Sequence, residues 1–182
     1  MEVFNLTHVM DLQLFIKALV FAAHKHKDQR RKDVDASPYI NHPIALIDVL
    51  VNEGGVTDMA TICAALLHDT VEDTEATAEE LATQFGDEIA SIVMEVSDDK
   101  TLSKEDRKQA QVKHSAHLST KAKAVKLADK TSNLRDMIKS PPEGWSLERR
   151  QKYFDWSKEV VDGFRGDWPK LEAVFDEQDA PL

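Results

Sequence analysis

Apolar positions recur along this chain at intervals of three and four, the repeat of helices with one buried face, and almost nowhere in the alternation that marks a strand. From about Asp11 to His26, Leu12, Phe15, Ile16, Leu19 and Ala23 stand at core spacing and predict a first helix. Lys27 to Asn41 is polar and stiffened by Pro38, and reads as a loop. Pro43 suits the first turn of a second helix, which Gly54-Gly55 ends. Thr57 or Asp58 caps a third, which carries the most apolar run in the chain, Ile62-Cys63-Ala64-Ala65-Leu66-Leu67. Thr77-Ala78-Glu79-Glu80 has the capping-box pattern for a fourth helix, stopped by Gly86. Asp87 caps a fifth, with Ile89, Ile92, Val93 and Val96 inward, and Asp98-Asp99-Lys100 is a loop. Ser103 begins a polar sixth reaching about His117, and Lys121 to Met137 is a seventh with Ala124, Leu127, Ala128, Thr131 and Leu134 inward. After the interruption at Pro141-Pro142, Ser146 to Phe164 forms an eighth, and Pro169 opens a short ninth.

The expected architecture is therefore all-α and compact, about eight to ten helices in a single domain over residues 1–182. No repeat or low-complexity segment divides the chain, and this length buries roughly 70% of the unfolded surface, enough for a core without staples. Charge changes the picture: a net −10 argues against non-specific nucleic-acid binding. An anionic substrate would need a metal or a local basic patch to overcome that field. The one cysteine, Cys63, lies in the apolar run and reads as a core residue. Met1 to Met10 lacks the basic-then-apolar order of a signal peptide, and no apolar run approaches the roughly 18 residues of a membrane span, so the expected location is cytoplasmic.

Four ionisable residues crowd the end of the apolar run: His68, Asp69, Glu72 and Asp73. On a continuous helix they share one side, opposite Ala64, Leu67 and Val71. Such a cluster at the edge of a core persists if exposed, protonated, or neutralised by a cation. Alone, a charged stripe is ordinarily a solvated face. Two further stretches change that. Pro38-Tyr39-Ile40-Asn41-His42-Pro43 holds a histidine at the mouth of a helix between two prolines, and Asp129 and Asn133 are i,i+4 neighbours on a helix otherwise apolar on that side. His42, His68, Asp69 and Asp129 together make a mixed nitrogen and oxygen set that suits Mn²⁺, Fe²⁺ or Zn²⁺ better than Ca²⁺. Glu72 and Asp73, one turn on, are placed to take a proton from an attacking water or to give one to a leaving oxygen.

The fuller strings are Arg30-Arg31-Lys32-Asp33, Pro38 to Pro43, Ala64-Ala65-Leu66-Leu67-His68-Asp69-Thr70-Val71-Glu72-Asp73-Thr74 and Lys126-Leu127-Ala128-Asp129-Lys130-Thr131-Ser132-Asn133-Leu134. Over about residues 18 to 165 the chain resembles the hydrolase domain of RelA/SpoT proteins, within the HD phosphohydrolase superfamily. It is most similar to the small stand-alone alarmone hydrolases of the metazoan SpoT-homologue type. The resemblance implies removal of the 3′-pyrophosphate of guanosine tetra- or pentaphosphate (ppGpp, pppGpp). It implies one Mn²⁺ held by the residues matching His42, His68, Asp69 and Asp129, and catalytic carboxylates at Glu72 and Asp73. It also implies nucleotide contacts at Arg31 and Lys32, substrate positioning by Asn133, and no synthetase activity. Two departures are small: Asp33-Val34-Asp35-Ala36-Ser37 lacks the glycine common there, and Thr131-Ser132 replaces bulkier residues.

The physical side agrees. Lys25, Lys27, Arg30, Arg31 and Lys32, opposed only by Asp28, form a basic cluster in an acidic chain, although such a run is often merely solvated. Arg31 can stack on a purine, and Lys32 offers a point charge to phosphate. Lys100, Arg149 and Tyr153 are further candidates for holding the nucleotide, with Tyr153 and Trp156 equally suited to core or interface. His8, His24, His26, His114 and His117 lack ligand-like settings and read as structural or exposed. The alternatives are phosphatase action on another nucleotide such as NADPH, and a non-catalytic module that binds ppGpp. The oligomeric state is left open.

Overall fold

The computed structural model describes residues 2–178, with side chains described from residue 9. Among these residues the elements are α-helical, with one π-helical and one 3-10 turn and a single isolated bridge, Arg30 to Pro38, in place of a sheet. The centre is α3 (Met59–Leu67), in which every residue from Thr61 to Leu67 is buried. Asp58 caps it, its carboxylate accepting from the Thr61 N–H at 2.9 Å. Around α3 pack α1 (Glu2–Lys25), α2 (Asn41–Asp48), α6 (Asp87–Val96) and α8 (Thr120–Lys139). Between them run α4 (Thr70–Asp73), α5 (Ala78–Phe85) and α7 (Lys104–His114), and the chain closes with α9 (Leu147–Asp162) and α10 (Pro169–Asp176). Cys63 is fully buried, and burial pushes its thiol up to about 11. No helix among the described residues is long and apolar enough to cross a membrane.

The helices follow the periodicity, with shifts at their ends. The first begins at Glu2 rather than Asp11, because no Pro or Gly stands upstream to stop it. Gly86, not Asp87, is the N-cap of α6. The second helix runs on into a π-helical turn, Val49–Glu53, before Gly54 ends it with an N–H to Val49 O bond of 2.8 Å. A side chain at Gly54 would collide with Leu171 of α10, so close approach of the two segments requires glycine there. The loop without its family glycine has Ala36 at φ +46, in the left-handed region where glycine carries no penalty.

The π turn is tied to α8 by Arg135, which donates to both carboxylate oxygens of Glu53 at 2.5 and 2.8 Å. Those bonds outweigh the cost of partial burial and hold the Glu53 carboxyl below its ordinary range. A depressed acid stabilises the fold above its unfolded-state pKa and loses that effect as pH falls through the lower, folded value. Both side chains are about a third exposed, so Arg135→Met is expected to cost roughly 0.5–1 kcal/mol near neutrality. The gap to wild type should close on acidification; urea denaturation near neutrality and in acid measures both, and an unchanging gap would refute the linkage.

Candidate metal centre and active site

The helix expected to run through His68 and Asp69 breaks there. The helix α3 stops at Leu67, two residues turn, and α4 restarts as a single turn at Thr70. Asp69 sits at φ −95, ψ −2, in the bridge region between helix and strand. The Thr70 hydroxyl donates to the freed Leu67 carbonyl at 2.6 Å. Consecutive residues of a regular helix diverge by about 100°. The break instead lets both side chains reach one point, where His42 from α2 and Asp129 from α8 meet them.

The ligand atoms of His42, His68 and Asp69 lie within 4.8 Å of one another. His68 Nε2 is 3.0 Å from Asp69 Oδ2 and 3.9 Å from Asp129 Oδ1; His42 Nε2 is 3.3 Å from Asp129 Oδ1 and 3.9 Å from Asp69 Oδ2. Both imidazoles are buried, at 3% and 5% exposure. Only the ring N–H of His68 can pair with the Ala65 carbonyl 2.9 Å from its Nδ1, which leaves Nε2 as the nitrogen facing the carboxylates. That buried Nε2 has no hydrogen-bond partner of good geometry despite its closeness to Asp69. Burial works against charge on His68, but Asp69 and Asp129 more than offset it and push the imidazole up to about 9. Burial likewise opposes ionisation of Asp69 and Asp129, yet their cationic neighbours hold both well below the usual carboxylate range. Two half-buried carboxylates demanding positive charge, beside an orphaned imidazole nitrogen, fit a divalent cation.

Glu72 and Asp73 flank this cluster. Burial pushes the Glu72 carboxyl up, although it accepts from the Asp98 N–H at 2.9 Å. Lys100 lies 2.6 Å from Asp73 and 3.3 Å from Glu72, so this expected nucleotide contact bridges the two carboxylates. Beside Asp73 opens a cavity of about 350 Å³ lined by Arg31, Lys32, Tyr39, Asn133, Lys104, Trp145 and Tyr153. Asn133 donates to Asp129 at 2.6 Å and accepts from Arg31 at 3.2 Å, linking cavity and cluster. Arg149 lies in an adjoining hollow of about 300 Å³ with Lys104, Lys108, Tyr153 and Trp156, its guanidinium 4.0 Å from the Trp145 ring. Burial and the crowding of Arg149, Lys108 and Lys32 push the Lys104 ammonium down. A larger groove of about 810 Å³ along α1 is mainly apolar and is lined by none of these residues.

Some expectations need correction. Lys25 belongs to the α1 groove, paired with Glu80 at 3.0 Å and Glu75 at 3.2 Å, so only Arg30, Arg31 and Lys32 of the basic cluster line the cavity. The histidines read as structural or exposed stand as expected: His26 is structural, 2% exposed and stacked on Tyr39; His24, His114 and His117 are exposed, and His8 lies outside the described side chains. Trp156 serves as backing: its indole N–H donates to the Lys108 carbonyl at 3.1 Å, and the buried Lys130 ammonium stands 3.9 Å from its ring centre. Sequence reasoning missed Lys104 and Trp145, and assigned no role to Tyr39. A usable signal was present in the i,i+4 pairs Lys104/Lys108 and Arg149/Tyr153, which put cations and an aromatic on single helix faces.

Residues 18–153 match the HD domain family. A guanosine-3′,5′-bis(diphosphate) 3′-pyrophosphohydrolase MESH1 from Xenopus tropicalis is 55% identical over 91% of this chain and 93% of its own. The Homo sapiens MESH1 is 52% identical over 88% and 89%. A solved structure, described as a metazoan ortholog of SpoT that hydrolyzes ppGpp and plays a role in starvation responses, superposes with a TM-score of 0.88 at 47% identity, covering 91% of this chain and 93% of that one.

Proposed function

The chain belongs to the HD domain family, in its MESH1 branch, and from that premise we propose that it hydrolyses the 3′-pyrophosphate of ppGpp and pppGpp, giving GDP or GTP and pyrophosphate. Family membership implies a divalent metal; we assign it to Mn²⁺, with His42, His68, Asp69 and Asp129 as the residues that would hold it. When bound, such an ion polarises a phosphate oxygen and makes water a competent nucleophile near neutral pH.

The rest is the work of this chain's own side chains. Glu72, raised by burial toward the working pH, takes the proton of the attacking water, with Asp73 beside it. Water oxygen bonds to the phosphorus on the 3′ oxygen, the bond to that oxygen breaks, and the proton goes to the departing ribose oxygen. Arg31 and Lys32 hold the nucleotide, Arg31 by its planar face and Lys32 by point charge, and Asn133 positions it. Lys100, Arg149 and Tyr153 complete the grip, with Lys100 exchanging its carboxylate partners for phosphate oxygens. The single observation that supports this reading best is the convergence of two imidazoles and two carboxylates beside a cation-lined cavity in a protein of net charge −10.

The test is elemental analysis of the purified protein beside two assays, pyrophosphate release from ppGpp and orthophosphate release from NADPH, with and without added Mn²⁺. We expect ppGpp turnover that chelation removes and Mn²⁺ restores. Undiminished activity in a metal-stripped sample would discard the mechanism, and preference for NADPH would change the substrate. Tight ppGpp binding without product would make the chain a sensor.

A further inference from the structure

Tyr39 stands three residues before His42, in the turn that leads into α2, and between the two functional groups of the site. Its hydroxyl donates to Asp69 Oδ2 at 2.5 Å and lies 3.4 Å from Asp73 Oδ2. The Asp69 oxygen it binds is the one that faces His68 and His42. A phenol has one proton to give, so this contact fixes the rotation of the Asp69 carboxylate and leaves the weaker approach to Asp73 as a spacer.

The ring cannot drift. His26 stacks on it at 4.7 Å between ring centres, the Arg31 guanidinium lies 5.7 Å from its centre, and the His42 ring meets it edge-on at 6.0 Å. A second strand of the same scaffold reaches Asp73 through the backbone: His26 Nδ1 pairs with Gln29 Oε1 at 2.7 Å, and Gln29 Nε2 donates to the Asp73 carbonyl at 2.5 Å. Tyr39 N–H closes the circuit on the Gln29 carbonyl at 3.2 Å.

We infer that Tyr39 is a positioning residue, whose hydroxyl holds Asp69 in its metal-binding orientation and sets the distance from the metal centre to Asp73. The inference rests on the function proposed above and deepens it. Outer hydrogen-bond partners of metal ligands typically contribute roughly 10- to 100-fold to metal affinity or activity. The test is Tyr39→Phe, which removes one oxygen and keeps the stacked ring. Mn²⁺ titration of chelator-stripped protein by calorimetry should show an affinity roughly 10- to 100-fold below wild type. At saturating Mn²⁺ kcat should fall while the KM for ppGpp stays within about twofold, since substrate contacts are untouched.

A variant that binds Mn²⁺ and turns over like wild type would overturn the inference. So would a raised KM with unaltered Mn²⁺ affinity, which would make Tyr39 a substrate contact. Should Y39F fail to fold, 3-fluorotyrosine labelling supplies the measurement: the chain has two tyrosines, Tyr39 and Tyr153, and Zn²⁺ must shift the Tyr39 resonance. No shift would equally overturn it. If wild-type protein neither binds Mn²⁺ nor hydrolyses ppGpp, the functional reading fails instead, so the two failures are separable.

Discussion

Alanine at position 69 is expected to empty the metal centre and stop pyrophosphate release. Asp69 Oδ2 lies within 4 Å of both ligand imidazoles, so its loss removes a quarter of the proposed donor set and half of its negative charge. An ion polarising phosphate contributes several kcal/mol to the transition state, and each 1.4 kcal/mol is tenfold in rate, so turnover should fall by about three orders of magnitude. The Asp69 side chain makes no capping bond to α4, so the helices should persist, with any loosening confined to the lost Tyr39 contact and the seam that the ion would close. Elemental analysis of D69A, with circular dichroism as the check on folding, measures the loss directly. A variant that keeps both its ion and its rate would remove the centre from the mechanism.

Glu72→Gln separates proton transfer from metal binding. The amide oxygen still accepts from the Asp98 N–H and the shape is kept, while the ion pair with Lys100 is lost and the group can no longer take a proton. Loss of a positioned general base costs about 10²- to 10⁴-fold, and we expect kcat to drop by that amount with Mn²⁺ retention unchanged. Acidity offers a second reading of the same residue. In the proposed mechanism the working form is the carboxylate, and burial has raised its pKa, so the wild-type rate should be complete above that raised value and decline as pH falls through it. In E72Q that acid limb should vanish from the residual activity. Full kcat in the variant would place the base elsewhere.

What could be read in advance followed local rules. Asp58, Thr77, Ser103 and Ser146 cap helices as expected, because a short oxygen-bearing side chain satisfying an N–H three residues on is written in neighbouring positions. The four proposed ligands were legible for the same reason: two sit side by side, and the others occupy short strings of recognisable chemistry. The break at His68-Asp69 was not. Its residues carry no helix-breaking signal, and the kink is held by Thr70 bonding back to Leu67 and by Tyr39 reaching Asp69 across 30 positions. Tyr39 escaped because its partners lie on another element. Lys130, quoted only as part of a motif, escaped because nothing nearby in sequence announces that its ammonium is buried between Trp156 and Asp129.

His42 and Asp129 are separated by nearly half of the polypeptide, yet their side chains meet. An ion clasped between them as proposed would work as a buckle, shutting the intervening chain into a ring and favouring the closed molecule by mass action wherever the cation is plentiful. Without that cation, the seam where α2, α3 and α8 meet would be the first part of the molecule to loosen.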